Sequence, residues 1–412
     1  MTANGLDAHA LRADFPIFEQ RFHGRPLAYL DSAASSQKPR QMLEAMTRFY
    51  ETSYANVHRG VYELAERATD ALENARERCR AFVNAPAAHE IVFVRNATEA
   101  INLVAYAWGL ANLGPGDVVL VTELEHHSNF VPWQFIARRT GADFRILPVD
   151  VDGTLRLERL DELAGRGPVK VVATGYVSNV LGSANDVPRI AAWAHGRGAI
   201  HVCDAAQAAP HMRVDVQALG TDFLAVSGHK MCGPSGIGFL WGRTDLLLAM
   251  DPFLTGGHMI RRVRDDETTW GELPHKFEAG TAPMAEAVGL AAAIDYLEAA
   301  GLEAIAQHEH GLVAHALARL EEIDGVTTWG PPPARRAGIV SFDVEGVHPH
   351  DVAQILDLDG VAIRAGHHCC QPLMTRLRLA ATNRASFYLY TVPEEIDRLA
   401  DGILRVKKTF GV

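Results

Sequence analysis

Residues 199–230 read AIHVCDAAQAAPHMRVDVQALGTDFLAVSGHK. Two short apolar runs, IHVC and FLAVS, each lead into a polar residue: Asp204 closes the first and Lys230 follows the second. Apolar runs this short and unbroken mark buried strands. The same signature occurs upstream in VVLVTEL (118–124) and VKVVATGYVSN (169–179). Between these runs lie helical patterns such as TEAINLVAYAWGL (98–110) and VPRIAAWAHGRG (187–198). Strand and helix in alternation predict an α/β fold, a mainly parallel sheet with helices on both faces. Ligands in such sheets gather at the carboxyl ends of the strands. Asp204, Gln207 and Lys230 all fall there.

The chain has 412 residues, more than one core of ordinary size accommodates. The alternating pattern assigns 29–298 to a large unit. Residues 299–412 then form a smaller α+β unit, with strand signals in AGIVSFDVEG (337–346) and GVAIRAG (360–366). A helical stretch over 285–323 carries the passage between them, and residues 1–28 are expected to pack with the small unit. Hydrophobic residues make up 48% and charged residues 22%, which suits a soluble globular protein. A net charge of −11 with no basic block argues against nucleic-acid binding. No apolar run is long enough to span a membrane. The opening MTANGLDAHALRADF has no signal-peptide core, so the expected location is cytoplasmic. Five cysteines, an odd number spread thinly, do not make a disulfide framework.

Each strand-end residue has a plain reading and a chemical one. Asp204 alone could be a helix N-cap. Of six lysines, Lys230 is the one that follows an apolar strand and precedes a Gly-Pro turn. Burial there lowers a lysine's pKa and frees its amine for Schiff-base chemistry. NATEAINLV (96–104) is a strand-to-helix junction. The backbone at Ala97 and the hydroxyl of Thr98 sit where a helix N-terminus favours a phosphate. Ser227 and His229 flank the lysine, and His126 of EHHSN (125–129) follows another strand. An amine, an acid and a phosphate cup together suggest pyridoxal 5'-phosphate (PLP).

The remaining motif is RAGHHCCQPL (364–373). Four adjacent His and Cys side chains cannot easily converge on one ion, and no other pair has ligand spacing, so no metal site is expected. A structural corner and a working thiol at Cys369 stay open on the residues alone.

SGHKMCGPSGIG, CDAAQ, EHHSNFVPW, SNVLG, FEAGT and RAGHHC occur in one chain and in a fixed order. This set resembles the group II, Suf-type cysteine desulfurases, within the class V aminotransferase family of fold-type I PLP enzymes. The resemblance runs from LDSAASSQKP (30–39) to RASFYLYTVPEEIDRL (384–399). It implies a large domain with a mainly parallel, seven-stranded sheet and a smaller C-terminal domain carrying a catalytic Cys loop. Lys230 would hold the cofactor and shuttle the Cα proton, Asp204 would face the pyridine nitrogen, and Gln207 the phenolic oxygen. His126 would stack on the ring. Thr98, Ala97, Ser227 and His229 would hold the phosphate, with Thr281 of FEAGT reaching it from a second subunit of a homodimer. Asn179, Arg384, Arg364 and His58 would bind substrate, and Cys369 would be the nucleophile. The implied reaction converts L-cysteine to L-alanine, with a persulfide on Cys369. That sulfur would go to an acceptor protein of the SufE or SufU type for iron–sulfur cluster assembly. A selenocysteine lyase, or a class V aminotransferase or epimerase that does not use Cys369, is the alternative reading. The chain departs from the pattern twice: Cys370 stands where the family has Ala, and NATE replaces the commoner GTTE.

Overall fold

The computed structural model describes residues 5–58 and 60–412. Seven strands form the main sheet. They are β1 (Ile91–Val94), β2 (Val118–Thr122), β3 (Asp143–Leu147), β4 (Val169–Gly175), β5 (Ile200–Asp204), β6 (Phe223–Ser227) and β7 (Gly238–Gly242). Their order across the sheet is β1-β7-β6-β5-β4-β2-β3. Only β7 runs against its neighbours β1 and β6; the other pairings are parallel. The mainly parallel α/β sheet expected from the apolar runs is therefore present.

Every residue of β2, β5, β6 and β7 is buried, as strands covered on both faces must be. Alternation along β1 shows the two covers. Ile91 and Phe93 enter a core with helices α1 (Arg40–Thr52) and α2 (Glu63–Phe82). Val92 and Val94 face the opposite core, with α3 (Ala97–Val104) and α4 (His127–Thr140). Helix α5 (Val187–Gly196) packs on β4 and β5. The helical stretch at 285–323 is two helices, α6 (Met284–Ala300) and α7 (Leu302–Glu321). They part at Gly301, whose φ of 86° a glycine adopts without steric cost.

A second sheet is wholly antiparallel: β8 (Val326–Trp329), β9 (Ile339–Val344), β10 (Arg364–Gly366) and β11 (Thr382–Ser386), in the order β8-β9-β11-β10. With α7, α8 (Pro349–Asp357) and α10 (Pro393–Phe410) it closes its own core; the short helix α9 (Gln371–Leu377) lies between β10 and β11. GVAIRAG is not one strand. Val361–Ala362 pairs in parallel with Ala28–Tyr29, and only Arg364–Gly366 joins the second sheet. The first part ties the N-terminal segment to this unit. Farther out, Arg12 donates to the carboxylate of Glu395 at 2.8 Å. Phe15 packs edge-on against Tyr390 and against Tyr296 of α6, so the N-terminal segment touches both units.

Residues of α9 matter most for the site. Cys370, Leu373 and Met374 are buried against Val118, Leu120 and Leu147 of the main sheet. The loop bearing Cys369 is thereby pinned over the carboxyl ends of the parallel strands. Among the described residues, no helix is long and apolar enough to cross a membrane.

Candidate active site

A cavity of about 270 Å³ opens at the carboxyl ends of β4, β5 and β6. Asp204 enters it from the end of β5, and Gln207 from the turn that follows. Lys230 arrives on a tight turn, Gly228–Lys230, directly after β6. The carbonyl of His229 in that turn accepts from Lys38 at 2.9 Å, from the Ser36 N–H at 3.0 Å, and from the Ser35 and Ser36 hydroxyls at 3.1 Å. SSQK (35–38) is thus a clamp on the lysine turn.

Burial pulls the Lys230 amine down to about 8, while the Asp204 carboxylate pulls it up and Arg384 pushes it down further. Burial raises Asp204 and Lys230 opposes that rise. The two groups titrate as partners in one desolvated space. His126 is the N-cap of α4, and its Nδ1 accepts the Ser128 N–H at 3.1 Å. Burial first, then Lys230, holds its ring down to about 3, so it presents a neutral aromatic face. Gln207 donates to the Ala33 carbonyl at 2.7 Å, and its Oε1 is buried with no partner among the described residues.

The phosphate-like corner is built from two elements. The Ala97 N–H at the start of α3 donates to the Ser227 hydroxyl at 2.9 Å, which locks the helix to the lysine strand. Asn96 caps the helix by accepting the Glu99 N–H at 3.0 Å. Thr98 and His229 complete this part of the wall.

Opposite lie the arginines. Arg384, on β11, is 2% exposed. It donates to the Asn179 carbonyl at 2.8 Å and to Asp31 at 3.0 Å, and its Nε has no hydrogen-bond partner among the described residues. Arg364 grips the same Asp31 at 3.0 Å from a half-exposed position. One carboxylate therefore holds both guanidinium groups.

The Cys369 loop is strained and tightly held. His368 and Cys369 have φ of 52° and 55°, and Gly366 has φ of 136°. Left-handed backbone costs a non-glycine residue about 1–2 kcal/mol, so surrounding bonds must fix it. The His368 ring bonds the Thr382 hydroxyl at 2.9 Å, its carbonyl accepts from Asn179 at 2.6 Å, and the Cys369 carbonyl accepts the His127 N–H at 2.7 Å. These bonds present Cys369 exposed at the cavity wall. Cys370 points away, fully buried, with its thiol on the Glu123 carbonyl at 3.5 Å and its pKa pushed well up by desolvation. His368 does not supply the positive charge that its place in the motif suggests: burial and Arg384 hold it down to about 3. The cations that interact with Cys369 are Lys230, Arg384 and Arg364.

Two of the expected residues lie outside the cavity. Thr281 lines a separate groove with Gly280 and Phe253. His58 sits with His258 and His275, their ring centroids 4.8–5.4 Å apart. Two other lysines are desolvated or buried as well. Lys38 is pulled down to about 8 by burial, and Lys276 is 8% exposed. Burial alone does not single out Lys230; its position over Asp204 does. Asp31 and Glu125 were missed. Glu125 is buried, bonded to Thr122, Asn129 and the Gly175 N–H, and desolvation lifts it to about 7.

Residues 28–399 match the family Aminotransferase class-V. A probable cysteine desulfurase of Halalkalibacterium halodurans is 52% identical over 98% of this chain and 99% of its own. Among solved structures, the apo cysteine desulfurase of Thermococcus onnurineus superposes with a TM-score of 0.93 at 39% identity, over the whole of both chains. An Escherichia coli cysteine desulfurase gives 0.91 at 37%, over 99% of this chain and 100% of that one. With this sheet order, this strand-end cavity and a match over most of its length, the chain belongs to the class V aminotransferase family.

Proposed function

We propose that this chain is a PLP-dependent cysteine desulfurase that converts L-cysteine to L-alanine and takes the sulfur as a persulfide on Cys369. The observation that carries the reading is the meeting of Lys230, Asp204 and Cys369 on one cavity. The cavity suits PLP: a desolvated amine, a carboxylate, the unpartnered Gln207 Oε1 and a helix N-terminus line it. When bound, the cofactor supplies an electron sink for negative charge at the substrate's α carbon.

The residues divide the work. Lys230 holds the cofactor and then moves the Cα proton; an amine near 8 is free enough to take one and basic enough to keep it. Asp204 would keep a proton on the pyridine nitrogen, and Gln207 would bond the phenolic oxygen. The neutral His126 ring would be available to stack on the cofactor. Thr98, the Ala97 backbone, Ser227 and His229 hold the phosphate. Arg384 and Asn179 bind the substrate carboxylate, with Arg364 at the entrance. Cys369, reacting as a thiolate, attacks the substrate sulfur. An S–S bond forms as the C–S bond breaks, and that electron pair stays on carbon, which takes a proton to become the alanine methyl.

Three further points belong to this reading. A homodimer is supported by Thr281, which lies apart from the cavity of its own chain and is free to serve a second copy. Exposure of Cys369 supports handover of sulfur to an acceptor protein of the SufE or SufU type. Five thiols without a disulfide support a reducing, cytoplasmic setting. The test is formation of alanine from L-cysteine, together with sulfide released from the persulfide by an added thiol reductant. Wild type should turn over, and Cys369→Ala should make neither product; equal rates would show that the sulfur leaves without Cys369, and an aminotransferase or epimerase would make neither product even as wild type.

A further inference from the structure

We propose that His58, His258 and His275 form a binding site for one divalent transition-metal ion of the zinc class. The three come from segments far apart in sequence. His58 lies in the loop between α1 and α2, His258 in the loop before the strand Ile260–Val263, and His275 at the start of the turn His275–Phe277. One ring nitrogen from each lies within 4.8 Å of the others. All three residues are half-buried.

The three rings converge on one point, each against the other two. They meet at 39°, 64° and 76°. His58 Nε2 and His275 Nδ1 are buried and have no hydrogen-bond partner among the described residues. Leaving buried polar nitrogens unbonded is costly, and a cation accepting their lone pairs removes that cost. Zinc binds imidazole nitrogen at about 2.0–2.1 Å in tetrahedral sites, which sets the nitrogens roughly 3.3 Å apart, so nitrogens that now lie within 4.8 Å of one another draw together on binding the ion. The surroundings favour a cation. Glu73 lies 3.9 Å from His58 Nε2, and Glu278 lies 3.8 Å from His275 Nδ1. Both carboxylates are held by the single guanidinium of Arg76, at 3.0 and 2.6 Å, which leaves one negative charge uncompensated beside the nitrogens. Three imidazoles leave a fourth position for water or Glu73, the arrangement of an open zinc site. The ion would tie the loop before α2 to the segment that leads into Thr281. This site does not depend on the PLP reading.

The test is titration of chelator-treated holoenzyme with Zn²⁺ by calorimetry, and with Co²⁺ by visible absorption, whose intensity reports tetrahedral geometry. Wild type and Cys369→Ala should each bind one equivalent. His258→Gln and His275→Gln should bind more weakly by over the roughly 10–100-fold that loss of a mere supporting contact costs. Retention of cofactor absorbance shows which variants are folded, and either variant alone decides the question. Failure of wild type to bind, unchanged affinity in a folded His variant, or loss of binding in Cys369→Ala overturns the proposal.

Discussion

Asp31 is the residue whose removal tests the arginine arrangement most sharply. It receives Arg384 at 3.0 Å and Arg364 at 3.0 Å. The two contacts are unequal. Arg384 is 3% exposed in its side chain and Arg364 is 49% exposed. Burial already drives the Arg384 guanidinium below the usual arginine range, and Asp31 is what pulls it back. Asp31→Asn keeps the shape and deletes the charge. Breaking a buried pair costs about 3–5 kcal/mol; the retained Asn179 carbonyl places this case near ~3 kcal/mol. The half-exposed contact is worth about 0–1 kcal/mol, so Arg364→Ala should cost no more than that. Denaturant unfolding of the holoenzyme measures both costs. In steady-state assays the loosened Arg384 should raise KM for L-cysteine by about tenfold or more, since each ~1.4 kcal/mol of lost binding is a factor of ten. An Asp31→Asn loss no larger than that of Arg364→Ala, with an unchanged KM, would refute the reasoning.

Cys370→Ala should retain most desulfurase activity, because its thiol is buried in the packing of α9 and held protonated by desolvation; activity as low as that of Cys369→Ala would contradict this. Capture of PLP by the cofactor-free enzyme should accelerate with pH and reach half its limit near pH 8, read from cofactor absorbance. Lys230 is neutral above about 8 in place of 10.5. At pH 8 an ordinary lysine would be only ~0.3% neutral, so a profile still rising steeply at pH 10 would show that the amine is not desolvated.

Much of the fold was legible because buried parallel strands leave continuous apolar runs. VVLVTEL, IHVCD and FLAVS could each be placed before any contact was known. The strand-end chemistry was legible for the same reason: Asp204 and Lys230 stand where apolar runs stop. GVAIRAG failed because a residue run says nothing of its partners, and its halves pair with segments over three hundred residues and about twenty residues away. Asp31 was hidden likewise. Its meaning lies in Arg384, 353 positions distant, and in isolation it is one acid at the end of a short strand. The histidine triad comes from three loops, and no spacing rule joins positions 58, 258 and 275. The state of His368 was hidden because the sequence shows adjacency and not burial; the fold holds its ring neutral.

The central claim is that a sulfur atom from substrate bound over Lys230 and Asp204 comes to rest on Cys369. Brief turnover with sulfur-labelled L-cysteine, followed by alkylation and peptide mapping by mass spectrometry, reads this directly. The account predicts one added sulfur on Cys369 in wild type, and none there in Lys230→Ala. Label on Cys370 or on no cysteine, while alanine accumulates, would contradict it.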